Sequence, residues 1–263
     1  MNPVKEKTGY AAILFISIVG IIGVLMLEPI AQNPLYHQFA DQRTMYGVRN
    51  FWNVLSNLPF LIVGMMGLFS LARPGRIKFI AEIKSAYVLF FTGVALVSFG
   101  SAYYHLWPGN ETLVWDRLPM TFAFMALFAV IFGEFAALKA SKLMLWPLVI
   151  FGIFSVIYWH FTESSGHGDL RFYILVQFLP VLLIPLLLML FRSRFTGTVG
   201  YWALLFAYLL AKIFEYFDES VFDSLGVISG HSLKHIVTAL GIFILLRTYK
   251  YRMAALSPGS AVS

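Results

Sequence analysis

The stretch GSAYYHLWPGNETLVWDRLPM, Gly100–Met120, places Ser101, His105 and Asp116 where one apolar segment ends and the next begins. Much farther along, SGHSLKHIVTALG puts His231 and His235 at the mouth of another apolar segment. Residues at i and i+4 share a helix face, with Cβ atoms about 5–6 Å apart. On a helix, His231 and His235 can therefore hold one ion together, and Ser101 lies one turn from His105. Three neutral imidazoles with an open fourth position make a catalytic zinc site. Such an ion lowers the pKa of bound water to about 7 and polarises a carbonyl. A carboxylate beside that water can accept its proton and pass it to a leaving amine. The chain has no cysteine, so a metal has only His, Asp and Glu to hold it, and a disulfide framework is excluded.

Taken singly, each residue has an ordinary account. One HxxxH spacing is weak, because a histidine near a membrane interface is commonly a polar tip. Ser101 in FGSAYY can serve tight helix packing, and Asp116 can pair with Arg117 or favour the positive end of its helix. The joint pattern is what points to a metal centre: the residues come from three segments yet fall at one depth.

That depth follows from the elements that carry them. Of the 263 residues, 59% are hydrophobic and only 12% charged, and mean hydropathy is +0.78. Soluble domains carry about 25% charged residues, so this chain cannot cover a water-facing surface and is expected to be a polytopic membrane protein. A crossing helix needs about 20 mostly apolar residues. Eight stretches qualify: Ala11–Leu27, Phe51–Ala72, Ala86–His105, Leu118–Leu138, Leu143–Phe161, Phe172–Phe191, Tyr201–Phe217 and His231–Leu246. They are long and continuously apolar, without period-two alternation, which predicts an all-α helix bundle rather than a barrel. Pro59, Pro180 and Pro185 are expected to kink their helices rather than forbid them.

The connecting segments sort by charge. Thirteen Lys and Arg fall on one set of loops and ends and four on the alternate set, Arg43, Arg49, Arg117 and Arg171. The alternation predicts both termini in the cytoplasm, with Ser101, His105, Asp116, His231 and His235 at the outer, periplasmic or lumenal, side. The net charge of +6 thus reads as topology rather than as nucleic-acid binding. No A-x-A cleavage site follows Leu27, so the first segment is expected to stay as an anchor.

The same residues carry a resemblance. SAYYH, then the Asp of VWDRLP, then HSLKH follow the SxxxH, Asp and HxxxH signature of the CREST superfamily of membrane hydrolases, and NFWNVLSNLPFLIVG resembles the first core helix of the alkaline ceramidases. The resemblance runs from about Asn50 to Leu246. It implies residues 1–49 as an anchor helix and outer loop, 50–248 as a seven-helix hydrolase core, and 249–263 as a cytoplasmic tail. It further implies zinc held by His105, His231 and His235, with Asp116 handling the proton and Ser101 assisting the zinc site and the oxyanion. The sequence departs from the family where Asn50 stands in place of a glutamate, leaving Asp41 as the nearby carboxylate. Calcium wants about six to eight oxygen ligands, so the family's calcium site is not assigned here.

Other polar residues have blander expectations: Lys212 and Glu215 as a self-neutralising pair, Lys234 reaching Asp218, Glu219 or a lipid headgroup, and Glu134 as an interfacial group. His160 and His167 read as surface residues, Asp169 and Arg171 as a helix-start pair, and ALSPGSAVS as a disordered end. The favoured function is zinc-dependent hydrolysis of the amide of a ceramide-type membrane lipid, the substrate class coming from the resemblance. The alternatives are another acyl-lipid hydrolase of the same superfamily or a heptahelical receptor with structural zinc. A transporter is disfavoured, since no inverted pair of interrupted helices is visible.

Overall fold

Eight helices in the computed structural model, which describes residues 3–255, are long and apolar enough to cross a membrane. The segments run α1 (Pro3–Leu25), α2 (Phe51–Leu55), α3 (Leu58–Ala72), α4 (Lys84–Leu106), α5 (Asn110–Phe135), α6 (Leu138–Ser164), α7 (Arg171–Leu190), α8 (Val199–Tyr216), α9 (Asp218–Leu225) and α10 (Gly230–Tyr251). No strand forms among the described residues, as expected of an all-α bundle. The C-terminal tail lies, from residue 256 on, outside the described residues.

Packing follows the small and aromatic residues along the helices. α4 packs most extensively on α5, α8 on α10, and α3 on α4. Phe91, Tyr87, Leu187 and Leu245 lie buried where these faces meet. α1 stays at the periphery against α7, with Tyr10 donating to Ala136 O and Arg171 donating to Leu27 O at its far end. Asp169 and Arg171 form the expected pair, with Arg171 Nη2 2.8 Å from Asp169 Oδ2.

The second span is interrupted, where only a kink was expected. α2 ends at Leu55 and α3 begins at Leu58. Pro59 has no N–H to return to the carbonyl of Leu55. The break turns Asn53, Ser56 and Asn57 into the interior, all buried. Backbone of that kind is tolerated at membrane depth only where protein covers it.

The two ends of the bundle are built differently. The C-terminus of α4 and the N-termini of α5 and α10 meet under the 32–49 loop. At the opposite end, Glu134 is fully buried rather than interfacial. Its Oε1 accepts from Arg252 Nη2 at 2.7 Å and from the Tyr87 hydroxyl, and its Oε2 accepts from Arg252 Nη1 at 2.9 Å and Tyr201 at 2.8 Å. Arg252 also donates to Lys78 O. A buried ion pair persists when its remaining lone pairs and protons are satisfied, as they are here. Tyr249 and Arg252 are accordingly part of the packed end.

Candidate metal centre and its cavity

α10 starts on a polar cap: the Ser229 side chain accepts from Ser232 N, and Asp218 Oδ1 accepts from His231 N at 2.6 Å. The other Asp218 oxygen accepts from Ala40 N at 2.9 Å, so one carboxylate ties the 32–49 loop to the first turn of α10. Gly230 permits this start, since a Cβ there would lie 2.2 Å from Phe214 O.

His231 and His235 then share a face, and His105 reaches them from the last turn of α4. All three are buried, and one ring nitrogen from each lies within 4.8 Å of the others. His105 Nε2 and His231 Nε2 are 3.3 Å apart. Two nitrogens bound about 2.0–2.1 Å from one tetrahedral ion sit about 3.3–3.4 Å apart, so the pair has the spacing of co-ligands. Ser56 Oγ donates to Asn53 O and lies 2.8 Å from His235 Nδ1. A hydroxyl that donates elsewhere accepts from Nδ1–H, which leaves His235 Nε2 free to bind. Outer partners that fix a ligand's tautomer in this way are usual at metal centres. His105 Nδ1 is buried without a hydrogen-bond partner among the described residues. Phe39 covers the group, its ring 4.7 Å from both His105 and His231. Three neutral imidazoles, desolvated and oriented, fit a borderline cation such as zinc.

Ser101 and Asp116 border the same cavity as His235, a space of about 300 Å³. What brings them together is the closeness of α4 to α5. A Cβ on Gly100 would lie 1.9 Å from Trp115 O, so the two helices touch backbone to backbone one residue before Asp116. Pro119 contributes, because it has no N–H for the Trp115 carbonyl four residues back. Ser101 and Asp116 consequently line one wall of the cavity together. The five sequence-predicted residues thus stand at one end of the bundle.

Arg117 does not pair with Asp116. Its Nη2 donates to Gln32 Oε1 at 2.6 Å, and its guanidinium lies 4.1 Å from the Trp159 ring centroid and 4.6 Å from that of Tyr173. Lys234 does not reach Asp218 or Glu219 but joins Glu215, at 2.7 Å, which also holds Lys212. His160 faces Glu111 and His167 is exposed, both away from the cavity. Tyr36 lies on the cavity wall.

The residues that stand where the resemblance would put calcium do something else. Asn50 adopts a left-handed backbone (φ 48°), which Asn tolerates better than most residues, and its amide donates to His105 O at 2.7 Å. Asp41 spends both oxygens on Arg43, at 2.8 and 2.7 Å. That hydrogen bond holds the Arg43 guanidinium above its ordinary pKa. Asn50 thus acts as a donor and Asp41 as the partner of Arg43.

Sequence reasoning missed Phe39, Ser56 and Asp218. The signal for Ser56 was present: Asn53, Ser56 and Asn57, at i, i+3 and i+4 in an apolar stretch, make a polar stripe.

A comparison with curated proteins found no match. A family model described as Ceramidase matches residues 41–260, which takes in α2 to α10 and all five site residues and leaves α1 outside. The chain therefore belongs to the ceramidase family, whose activity is hydrolysis of the amide bond of a membrane lipid.

Proposed function

We propose that this protein hydrolyses ceramide-type lipids at a zinc ion held by His105, His231 and His235, releasing a fatty acid and a sphingoid base. The observation that carries the reading is the buried histidine group beside a cavity that also contains Asp116. When bound, the ion polarises the amide carbonyl and acidifies water. The chain's own residues do the rest. Asp116 takes the proton of the attacking water and delivers it to the amine nitrogen as the C–N bond breaks. Ser101, on the same cavity wall, donates its one hydroxyl proton to the carbonyl oxygen as charge develops there. The acyl chain lies along α5, where the cavity runs from Asp116 to Ile131. At 1.5 Å per residue this is about 22 Å, more than the roughly 15 Å of one leaflet's hydrocarbon. Charge alternation favours cytoplasmic termini and a site at the outer face.

The test joins a metal assay to fatty-acid release. Wild type should carry about one zinc per chain, as one three-histidine site requires, and His231→Ala should lose it. Asp116→Asn should keep zinc while losing about 10²–10⁴-fold in turnover, the usual contribution of a general acid–base group. Equal zinc content in His231→Ala would remove the ligand assignment. Undiminished hydrolysis by Asp116→Asn would remove Asp116 from the mechanism.

A further inference from the structure

One ionic array at the cavity mouth takes no part in this mechanism. Lys212 and Glu215 lie at i, i+3 on α8, and Lys234 stands on α10 between the two histidines. Glu215 Oε2 accepts from Lys212 Nζ at 2.5 Å and Glu215 Oε1 from Lys234 Nζ at 2.7 Å. The side chains of Lys212, Glu215 and Lys234 are 38%, 20% and 16% exposed. All three residues line the cavity that holds Ser101, Asp116 and His235.

Hydrogen-bond counting shows what the array lacks. An ammonium has three donors. Each lysine gives one to Glu215, and neither has another hydrogen-bond acceptor among the described residues. Four N–H donors are thus uncommitted, while the carboxylate between them has both oxygens engaged. Charge counting agrees. Arg117, Lys212 and Lys234 face Asp116 and Glu215 in the cavity lining, three cations to two anions, and Arg117 makes no ion pair with a carboxylate. Ionisable groups held at membrane depth mark ligand sites by default, and an uncompensated cation there is costly until an anion joins it.

We propose that Lys212 and Lys234, bridged by Glu215, form a subsite for an anionic group, such as a phosphate, sulfonate or carboxylate, on the amine side of the lipid substrate. The inference rests on the amide-hydrolase reading for which side of the amide is meant. The acyl chain occupies the apolar limb toward Ile131, so the amine side stays at the end where Lys234 adjoins His235. Glu215 bridges the two ammoniums, so that an incoming oxyanion can accept from both.

Two measurements test this and fail separately. Zinc-free protein in neutral detergent is titrated with hexadecyl phosphate and with hexadecanol. Wild type should prefer the phosphate by about ten- to a hundredfold, the worth of one hydrogen bond to a charged group. Lys212→Met should lose most of that preference and Lys212→Arg should keep it. Equal affinities, or a preference that survives Lys212→Met, would overturn the subsite. On zinc-loaded protein, the ratio of kcat/KM for N-palmitoyl sphinganine 1-phosphate over N-palmitoyl sphinganine should exceed one and fall in Lys212→Met. A purely structural role would lower both values and leave the ratio unchanged. Turnover of the neutral amide alone would overturn the subsite and spare the hydrolase reading. Turnover of neither, with the phosphate preference intact, would overturn the hydrolase reading and the substrate role with it. If palmitate binds as tightly as hexadecyl phosphate while the phosphorylated amide is not favoured, the lysines hold the released fatty acid and the proposal fails.

Discussion

Asn50 and Asp41 show how one residue type changes what a position can do. A glutamate at position 50 would offer two acceptor oxygens. Asn50 instead donates its amide to the last carbonyls of α4, at His105 O, and so helps hold the ligand-bearing turn. Asp41 closes on Arg43, and Arg43 reaches on to the carbonyls of Gly226 and Val227. An internal guanidinium thus bridges the first loop to the end of α9, where a divalent ion could have done so. Turnover of the zinc-loaded protein should therefore be unaltered when calcium is chelated selectively or added back. Loss of activity on selective chelation would mean that other oxygens supply a calcium site. Arg43→Ala should loosen the loop and lower activity whether or not calcium is present.

At the scale of elements, the decisive contact is the crossing of α4 and α5. Ser101 and Asp116 border one cavity because Gly100 lets the α4 backbone lie against Trp115 O, and because Pro119 leaves that carbonyl without its helical donor. Gly100→Ala places a methyl where a carbonyl oxygen already stands. The helices must part, at a cost of about 1–3 kcal/mol, typical of overpacking. If Ser101 and Asp116 act as proposed, a misplacement of about 1 Å between them should lower turnover about 10²-fold. Thermal unfolding in detergent and fatty-acid release measure the two effects, and full turnover by Gly100→Ala would show that the crossing does not set the geometry. The interrupted second span has a comparable role. The break before Pro59 turns Ser56 toward His235, a contact that a continuous helix would not present.

Over the whole molecule, the bundle has a histidine end and a locked end. Glu134, Arg252 and three tyrosines bind α4, α5, α8 and the end of α10 together, at the end opposite the histidines. The lock is rich in hydrogen bonds, whereas the cavity at the histidine end is bordered by Ser101, Asp116 and His235. Charge alternation predicts that the histidine end faces out. The cysteine-free chain makes this simple to test. An impermeant thiol reagent added from outside should label Glu111→Cys, an exposed position, and spare Arg192→Cys. The reverse pattern would invert the orientation.

The sequence by itself determined the class of the fold and singled out the three histidines that the structure brings together. Apolar length decides which segments can span a membrane, and helical spacing places His231 beside His235 wherever α10 goes. With no cysteine in the chain, a metal has only His, Asp and Glu to hold it. Tertiary structure alone decided which partners those residues meet. Ser56 and His235 are 179 residues apart and Arg252 and Glu134 are 118 apart, and no local period records such pairings. The same holds for Lys234. Its position between two histidines was visible, but its choice of Glu215 over Asp218 depends on how α8 packs against α10. Local patterns fix what a helix is and which side chains share its face. Only packing fixes what that face touches, and here packing decided that two lysines share one glutamate beside the cavity.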